Sequence, residues 1–162
     1  MEGIDTYIVN IASALRDVED FSPEEFARIA MKNRWPVSER SPGLWEADAR
    51  YSLYLARTLV PPMIMSIFWS VEDLPQDIWR ERLREDFKKC LFMVTSRLGV
   101  PRLSAAWGEP SWAYAIWATE HVWISLEETD YQEDRVPCLA LACIPRDSAT
   151  GDPKQGLTAR LY

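Results

Sequence analysis

Residues 74–98 have the pattern of a long amphipathic helix. Their large apolar side chains recur at spacings of three or four, which places them on one side of a helix. Asp73 and Gly99 are candidate N-cap and C-cap residues, and Pro75 falls in the first turn. The apolar side consists of Trp79, Leu83, Phe87, Leu91, Val94 and Leu98. A helix with one such face needs a second layer to cover it, which the rest of the chain must supply.

Two further helices are predicted towards the N-terminus. Ser22 can cap one of them, with Pro23 at its first position and Glu25 completing a capping box. This helix should end by Arg34, because a proline follows two residues later and disfavours helical geometry before it. Residues 8–18 carry apolar side chains at helical spacing and predict a shorter helix.

Apolar and polar residues alternate through residues 45–55, which predicts β-structure with one solvent-exposed face. The run fits one long strand, or two strands that meet at a bend near Asp48. Residues 63–70 are apolar and of strand length, and they could form a buried strand that pairs with the preceding one as a hairpin. Three more strands are predicted at residues 112–118, 122–127 and 137–144.

The order of these elements predicts an α+β fold, an antiparallel sheet of about five to six strands with two or three helices packed on one face. We expect a single domain over residues 1–149 and a polar C-terminal tail over residues 150–162. Residues 34–37 and 97–101 resemble each other and each follow a helix, which suggests two helix-then-strands units. Unrelated boundaries between a helix and a strand often use the same residue types, which explains that likeness equally well.

Composition and charge restrict the partners. The N-terminus lacks the basic and apolar regions of a signal peptide, and the most apolar stretch is too short to span a membrane. Cys90, Cys138 and Cys143 lie in apolar segments without CxxC spacing, so we expect buried free thiols and a cytoplasmic location. The net charge of −7 repels nucleic acid and anionic membranes and would attract a basic protein, although acidity also serves solubility.

Catalytic patterns are scarce. The one histidine, His121, falls in a predicted turn, and no motif for nucleotide binding, zinc proteolysis or serine hydrolysis occurs. Glu46 and Asp48 share a strand face as paired acids might, but Arg50 continues that face, which favours a solvated surface. Cys90 has apolar neighbours, which favours core packing over nucleophilic activity. We therefore predict a protein that is not an enzyme, with no cofactor and no metal site.

Tryptophan is over-represented, with 8 residues in 162, and half of them lie between positions 107 and 123. If Thr119 and Glu120 form a two-residue turn, residue 117 pairs with 122 and residue 115 with 124. One hairpin face then carries Ala113, Ala115, Trp117, Val122, Ile124 and Leu126, and should be core. The opposite face carries Trp112, Tyr114, Ile116, His121, Trp123, Ser125 and Glu127.

This opposite face leads into five acids within residues 127–134. Aromatic residues are common binding hot spots, and an anionic surface complements a basic partner. The alternatives are that a helix covers the aromatic face and that the acids form a solvated loop. The predicted partner-binding residues are Trp112, Tyr114, Trp123, Glu127, Glu128, Asp130, Glu133 and Asp134.

In size, acidity and the aromatic run over residues 108–117 and 122–128, the chain resembles the small acidic Trp-rich α+β immunity proteins of bacterial polymorphic-toxin systems. The resemblance implies neutralisation of a cognate toxin by direct occlusion. Small acidic secretion chaperones look similar by the same criteria. A small ligand-binding domain or enzyme with an aromatic pocket is the alternative from another class.

Overall fold

The computed structural model describes residues 4–107, 112–131 and 136–148. A short 3-10 helix, Gln76–Ile78, precedes the third α-helix. The helices are α1 (Ile4–Arg16), α2 (Pro23–Lys32) and α3 (Trp79–Leu98). The strands are β1 (Val37–Ser41), β2 (Leu44–Ala47), β3 (Leu53–Ala56), β4 (Met63–Ser70), β5 (Leu103–Trp107), β6 (Trp112–Ala118), β7 (Val122–Tyr131) and β8 (Val136–Pro145).

The eight strands form one antiparallel sheet in the order β1-β2-β3-β4-β8-β7-β6-β5. Strands β1–β4 are the first meander and strands β5–β8 the second meander, and the two join where β4 pairs with β8. Helix α2 precedes the first meander and α3 precedes the second. The predicted α+β class and the two helix-then-strands units in the order of elements are confirmed. The predicted number of strands was too low.

The two strands that were missed are the outermost ones, β1 and β5. β1 has the sequence VSERS and is mostly exposed, so it lacks the apolar alternation that marks a half-buried strand. The alternating run divides into β2 and β3, with the chain turning between residues 48 and 52, as one of the two alternatives predicted. β4 pairs with β3 as the predicted hairpin.

The helix ends follow local chemistry in part. The Ser22 hydroxyl accepts a hydrogen bond from the Glu25 N–H at 3.1 Å, as predicted for an N-cap. Gly99 ends α3 with φ at 82°, a left-handed conformation that favours glycine. The predicted cap at Asp73 is wrong, because the 3-10 turn intervenes and α3 has Ile78 at its N-cap without a side-chain hydrogen bond.

The main core lies between the sheet and helices α1 and α3, which pack against each other and against β7 and β8. Leu83 and Phe87 of α3 are buried there as predicted, at 1% and 5% exposure, and Leu91 packs against the same core while half-buried. The three cysteines form no disulfide and are buried, in agreement with the sequence prediction. Burial raises the pKa of the Cys143 thiol. Among the described helices, none is both long and apolar enough to cross a membrane.

Candidate functional site

The hairpin of β6 and β7 turns at Glu120 and His121, one residue later than predicted. Ala118 pairs with Trp123, and the Thr119 N–H donates to the Val122 carbonyl at 2.9 Å. The Thr119 hydroxyl accepts from the N–H groups of His121 and Val122, at 3.2 and 3.0 Å, which fixes this turn. The predicted pairing is therefore wrong by two residues. Because the shift is even, every side chain stays on its predicted face.

The face predicted to be core is core. Trp117, in the middle of this face, also donates its indole N–H to the Gly99 carbonyl at 2.7 Å and so ties β6 to the end of α3. All members of the face are buried: Ala113, Ala115, Trp117, Val122, Ile124 and Leu126.

The opposite face does not form the exposed aromatic patch that the sequence suggested. Tyr114, Ile116, Ser125 and Glu127 are exposed by 2%, 1%, 0% and 0%. The prediction of a solvent-facing surface is wrong for these residues. The neighbouring strand β8 is buried continuously from residue 137 to residue 144, so this part of the sheet is covered on both faces.

A second, smaller apolar cluster accounts for part of that burial. Met63 of β4 and Ala142 and Ile144 of β8 form its buried centre. The partly buried Met65 and Trp123 pack against it together with Leu59 from the connection between β3 and β4. The second face of the sheet therefore carries packing of its own.

Glu128, predicted to contact a partner, is instead an internal link. It is 2% exposed, and its carboxylate accepts from the Arg84 guanidinium at 2.6 Å (Nε) and 3.0 Å (Nη2). It also accepts from the Ala113 N–H at 2.8 Å. The carboxylate raises the pKa of Arg84. Strand parity could have revealed this role, since Glu128 shares the face of Ile124 and Leu126.

The remaining predicted partner residues fall into two groups. Trp112 and Trp123 are half-buried in the described protein. The guanidinium of Arg80 lies 4.9 Å from the ring centroid of Trp112, so α3 contacts this indole. The side chain of Asp130, and the residues Glu133 and Asp134, lie outside what the structure describes.

Glu46 is part of a hydrogen-bond network rather than of an acid pair. It is 7% exposed, so the prediction of a solvated position is wrong for it. Its carboxylate accepts from Arg40 and Ser52, and from the Tyr54 hydroxyl at 3.3 Å. The hydrogen bonds from Arg40 and Ser52 lower the pKa of the Glu46 carboxyl. Asp48 stays exposed after β2.

Trp123 has a distinctive environment. Its indole N–H donates to the Arg146 carbonyl at 3.1 Å, and the guanidinium carbons of Arg102 and Arg146 each lie 5.6 Å from its ring centroid. These are cation–π distances. We call Arg102, Trp123 and Arg146 the Trp123 cluster. Sequence reasoning found Trp123 and missed both arginines, because Arg102 precedes β5 and Arg146 follows β8, far from Trp123 in the chain.

Arg146 also lines an open groove of about 510 Å³. The groove forms where the connection between α1 and α2, the turn between β6 and β7, and the end of β8 meet. Besides Arg146 it is lined by Phe21, Pro145 and His121, and by four carboxylates, which are those of Glu19, Asp20, Glu120 and Asp147. We call it the acidic groove.

One carboxylate of the acidic groove, that of Asp20, is stabilised by the neighbouring Ser22. The Ser22 hydroxyl and backbone N–H stabilise the Asp20 carboxylate, which lowers the pKa of Asp20. The Ser22 N–H donates to the Asp20 Oδ1 at 2.7 Å. The lining has four carboxylate side chains against one guanidinium and the exposed His121, which complements a positively charged ligand.

Within the described ranges, no group of three or more His, Cys, Asp or Glu side chains is arranged to hold a metal ion. No family model, no curated protein and no solved structure matches the chain. The geometry of the Trp123 cluster and the acidic groove is therefore the basis on which a function can be proposed.

Proposed function

We propose that this chain is a protein-binding module that docks a basic partner on the Trp123 cluster and the adjoining acidic groove. The observation that carries this proposal is the half-buried Trp123 with two guanidiniums over its ring, one of which also lines the groove. Tryptophan and arginine are the residue types most enriched among the hot spots of protein interfaces.

The Trp123 ring is held in place before any partner arrives. Its N–H is bonded to the Arg146 carbonyl, and its ring packs against the small apolar cluster around Met63 and Ile144. A side chain that is already ordered loses little conformational entropy on binding. Trp123 is therefore suited to act as an anchor.

The acidic groove supplies charge beside that anchor. Its carboxylates would speed encounter with a basic partner and disfavour acidic ones, and the net charge of −7 acts in the same direction. The groove is open, and most of its lining residues are charged. Pockets for small molecules enclose most of the surface of their ligand, so an open groove favours a protein partner.

The role we propose for this binding is that of an immunity-type protein, which neutralises a cognate toxin by direct occlusion. Its support is the resemblance in size, acidity and aromatic content to immunity proteins of bacterial polymorphic-toxin systems. Cytoplasmic location belongs to the same proposal. A secretion chaperone would also bind a protein, but it would promote export of its client rather than abolish a toxic activity.

Co-purification from the native host tests the binding surface. We expect a tagged wild-type chain to capture a basic protein, and the double variant Glu120→Lys and Asp147→Lys to lose it. The matched control is Glu81→Lys with Glu85→Lys, which changes the net charge equally at exposed positions of α3. Equal loss in both double variants, or retention in the groove variant, would contradict the assignment of the groove.

The captured partner then permits a quantitative test of Trp123. We expect Trp123→Ala to weaken binding by about 2 kcal/mol, roughly thirtyfold, as measured by calorimetry. Arg97→Ala, an exposed arginine in the last turn of α3, should leave the affinity unchanged. Circular dichroism must show that the Trp123 variant is folded, because this ring also packs internally.

Co-expression distinguishes the proposed role from its alternatives. The partner expressed alone should arrest growth, and the wild-type chain should restore growth where the Trp123→Ala variant does not. A harmless partner whose secretion requires the chain would indicate a chaperone instead. Failure to capture any protein would favour the small ligand-binding domain.

A further inference from the structure

The sheet has two outer strands, β1 and β5, and they differ in how they are protected. Within the described part of the chain, each pairs with one neighbouring strand, so its other side presents unpaired backbone N–H and C=O groups. Such an edge is a template for pairing with another strand. Natural proteins block edges with charged residues, bulges or proline.

β1 carries these protective features. Its sequence, VSERS, contains Glu39 and Arg40, and its pairing with β2 shifts register between Glu39 and Ser41. If two copies of β1 paired antiparallel about its centre, Glu39 would face Glu39 of the other copy. Like charges directly opposite each other destabilise a strand pair. This edge is therefore unsuited to self-association.

β5 lacks them. Its sequence, LSAAW, contains no charged residue, and it pairs with β6 in regular register from Leu103 to Trp107. If two copies paired antiparallel about Ala105, Leu103 would face Trp107 of the other copy and Ser104 would face Ala106. In this register no charged residues of β5 would stand opposite each other.

We propose that β5 is a self-association edge, where a second copy of this chain pairs antiparallel about Ala105 and joins the two sheets into one. A two-fold axis through Ala105 makes the contact self-complementary and closed, as in most homodimers. The pairing supplies backbone partners to the outer side of β5, which has no neighbouring strand within the described residues. It goes beyond the proposed toxin-binding role and requires no other protein.

Cross-linking tests the edge and its register together. Residues directly opposite in an antiparallel pair have Cα atoms about 4.5 or 5.5 Å apart, which a disulfide can span. We expect Ala105→Cys to form a reducible dimer under mild oxidation, because two copies of position 105 face each other. Glu39→Cys, at the centre of β1, is the matched control and should stay monomeric. The native cysteines are buried and should not interfere.

Light scattering coupled to gel filtration tests the wild-type chain. We expect a mass that rises with concentration towards twice the monomer mass, and a constant monomer mass for Ser104→Lys. Ser38→Lys in β1 is its control, since both serines are exposed on outer strands. A monomer at every concentration, a dimer unaffected by Ser104→Lys, or cross-linking through Glu39→Cys instead would overturn the proposal. These outcomes do not depend on whether a toxin partner exists.

Discussion

The first and second meanders have the same order of strands but differ in how much of each strand is buried. In the first meander, β3 alternates between buried and half-buried residues, and β1 is largely exposed. In the second, β6 is buried at five consecutive positions and β8 at eight. Alternation in a sequence thus identifies the face on which a side chain lies. It does not tell whether that face is covered.

Each meander also contains a carboxylate that is almost wholly buried. Glu46 in the first is bound by Arg40, Ser52 and Tyr54, which lie close to it in the chain on β1 and around β3. Glu128 in the second is bound by Arg84 from α3, which is 44 residues away. The first link is local, whereas the second ties a helix to the sheet. We expect the second to contribute more to global stability.

The largest effect should come from removing the side chain by which α3 covers the second meander. Phe87→Ala should lower the free energy of unfolding by about 3–5 kcal/mol, because the residue is 5% exposed and truncation leaves a cavity. Urea denaturation measures this. Phe92→Ala on the same helix is the control, since Phe92 is 79% exposed and its loss should cost less than about 0.5 kcal/mol. A loss below about 1 kcal/mol for Phe87→Ala would contradict the layered core.

A smaller effect is expected at the link between α3 and the sheet. Arg84→Met leaves the Glu128 carboxylate buried with the Ala113 N–H, and should cost about 3 kcal/mol in urea denaturation. Glu128→Gln should cost less, because Arg84 has 37% of its side chain exposed and can be hydrated once the carboxylate is gone. Equal costs for the two variants would mean that burial of the carboxylate is not the dominant contribution.

The smallest effect concerns Glu46 and depends on pH. Its pKa is lowered in the folded protein, so its contribution to stability is present above the ordinary value of 4.5 and is lost as the pH falls through the folded pKa. Glu46→Gln removes this contribution at every pH. The variant should therefore lose less stability than the wild type between pH 7 and pH 3, as followed by thermal unfolding. If the thermal stability of the two proteins fell in parallel with pH, this role of the Glu46 carboxylate would be contradicted.

The candidate site was only partly predictable. Trp123 could be identified as a candidate from the clustering of tryptophans, and it is half-buried beside a groove. Tyr114 and Glu127 were wrongly expected on a surface, because the coverage of their face of the sheet depends on other elements. Two of the five acids within residues 127–134, Glu127 and Glu128, are buried inside the protein. The acidic groove comes from three segments remote from one another in the chain.

Local chemistry fixed much of the secondary structure. Some signals act over only a few residues and can be identified without knowledge of the fold. They include the cap at Ser22, the glycine at position 99 and the alternating runs. The side chains of β6 and β7 were likewise assigned to the correct faces of the sheet, although the predicted pairing was wrong by two residues. Packing between distant segments set the rest. It covered the second face of the sheet, paired Glu128 with Arg84, and brought Arg102 and Arg146 to Trp123, because each of these contacts exists only once the chain has brought remote elements together.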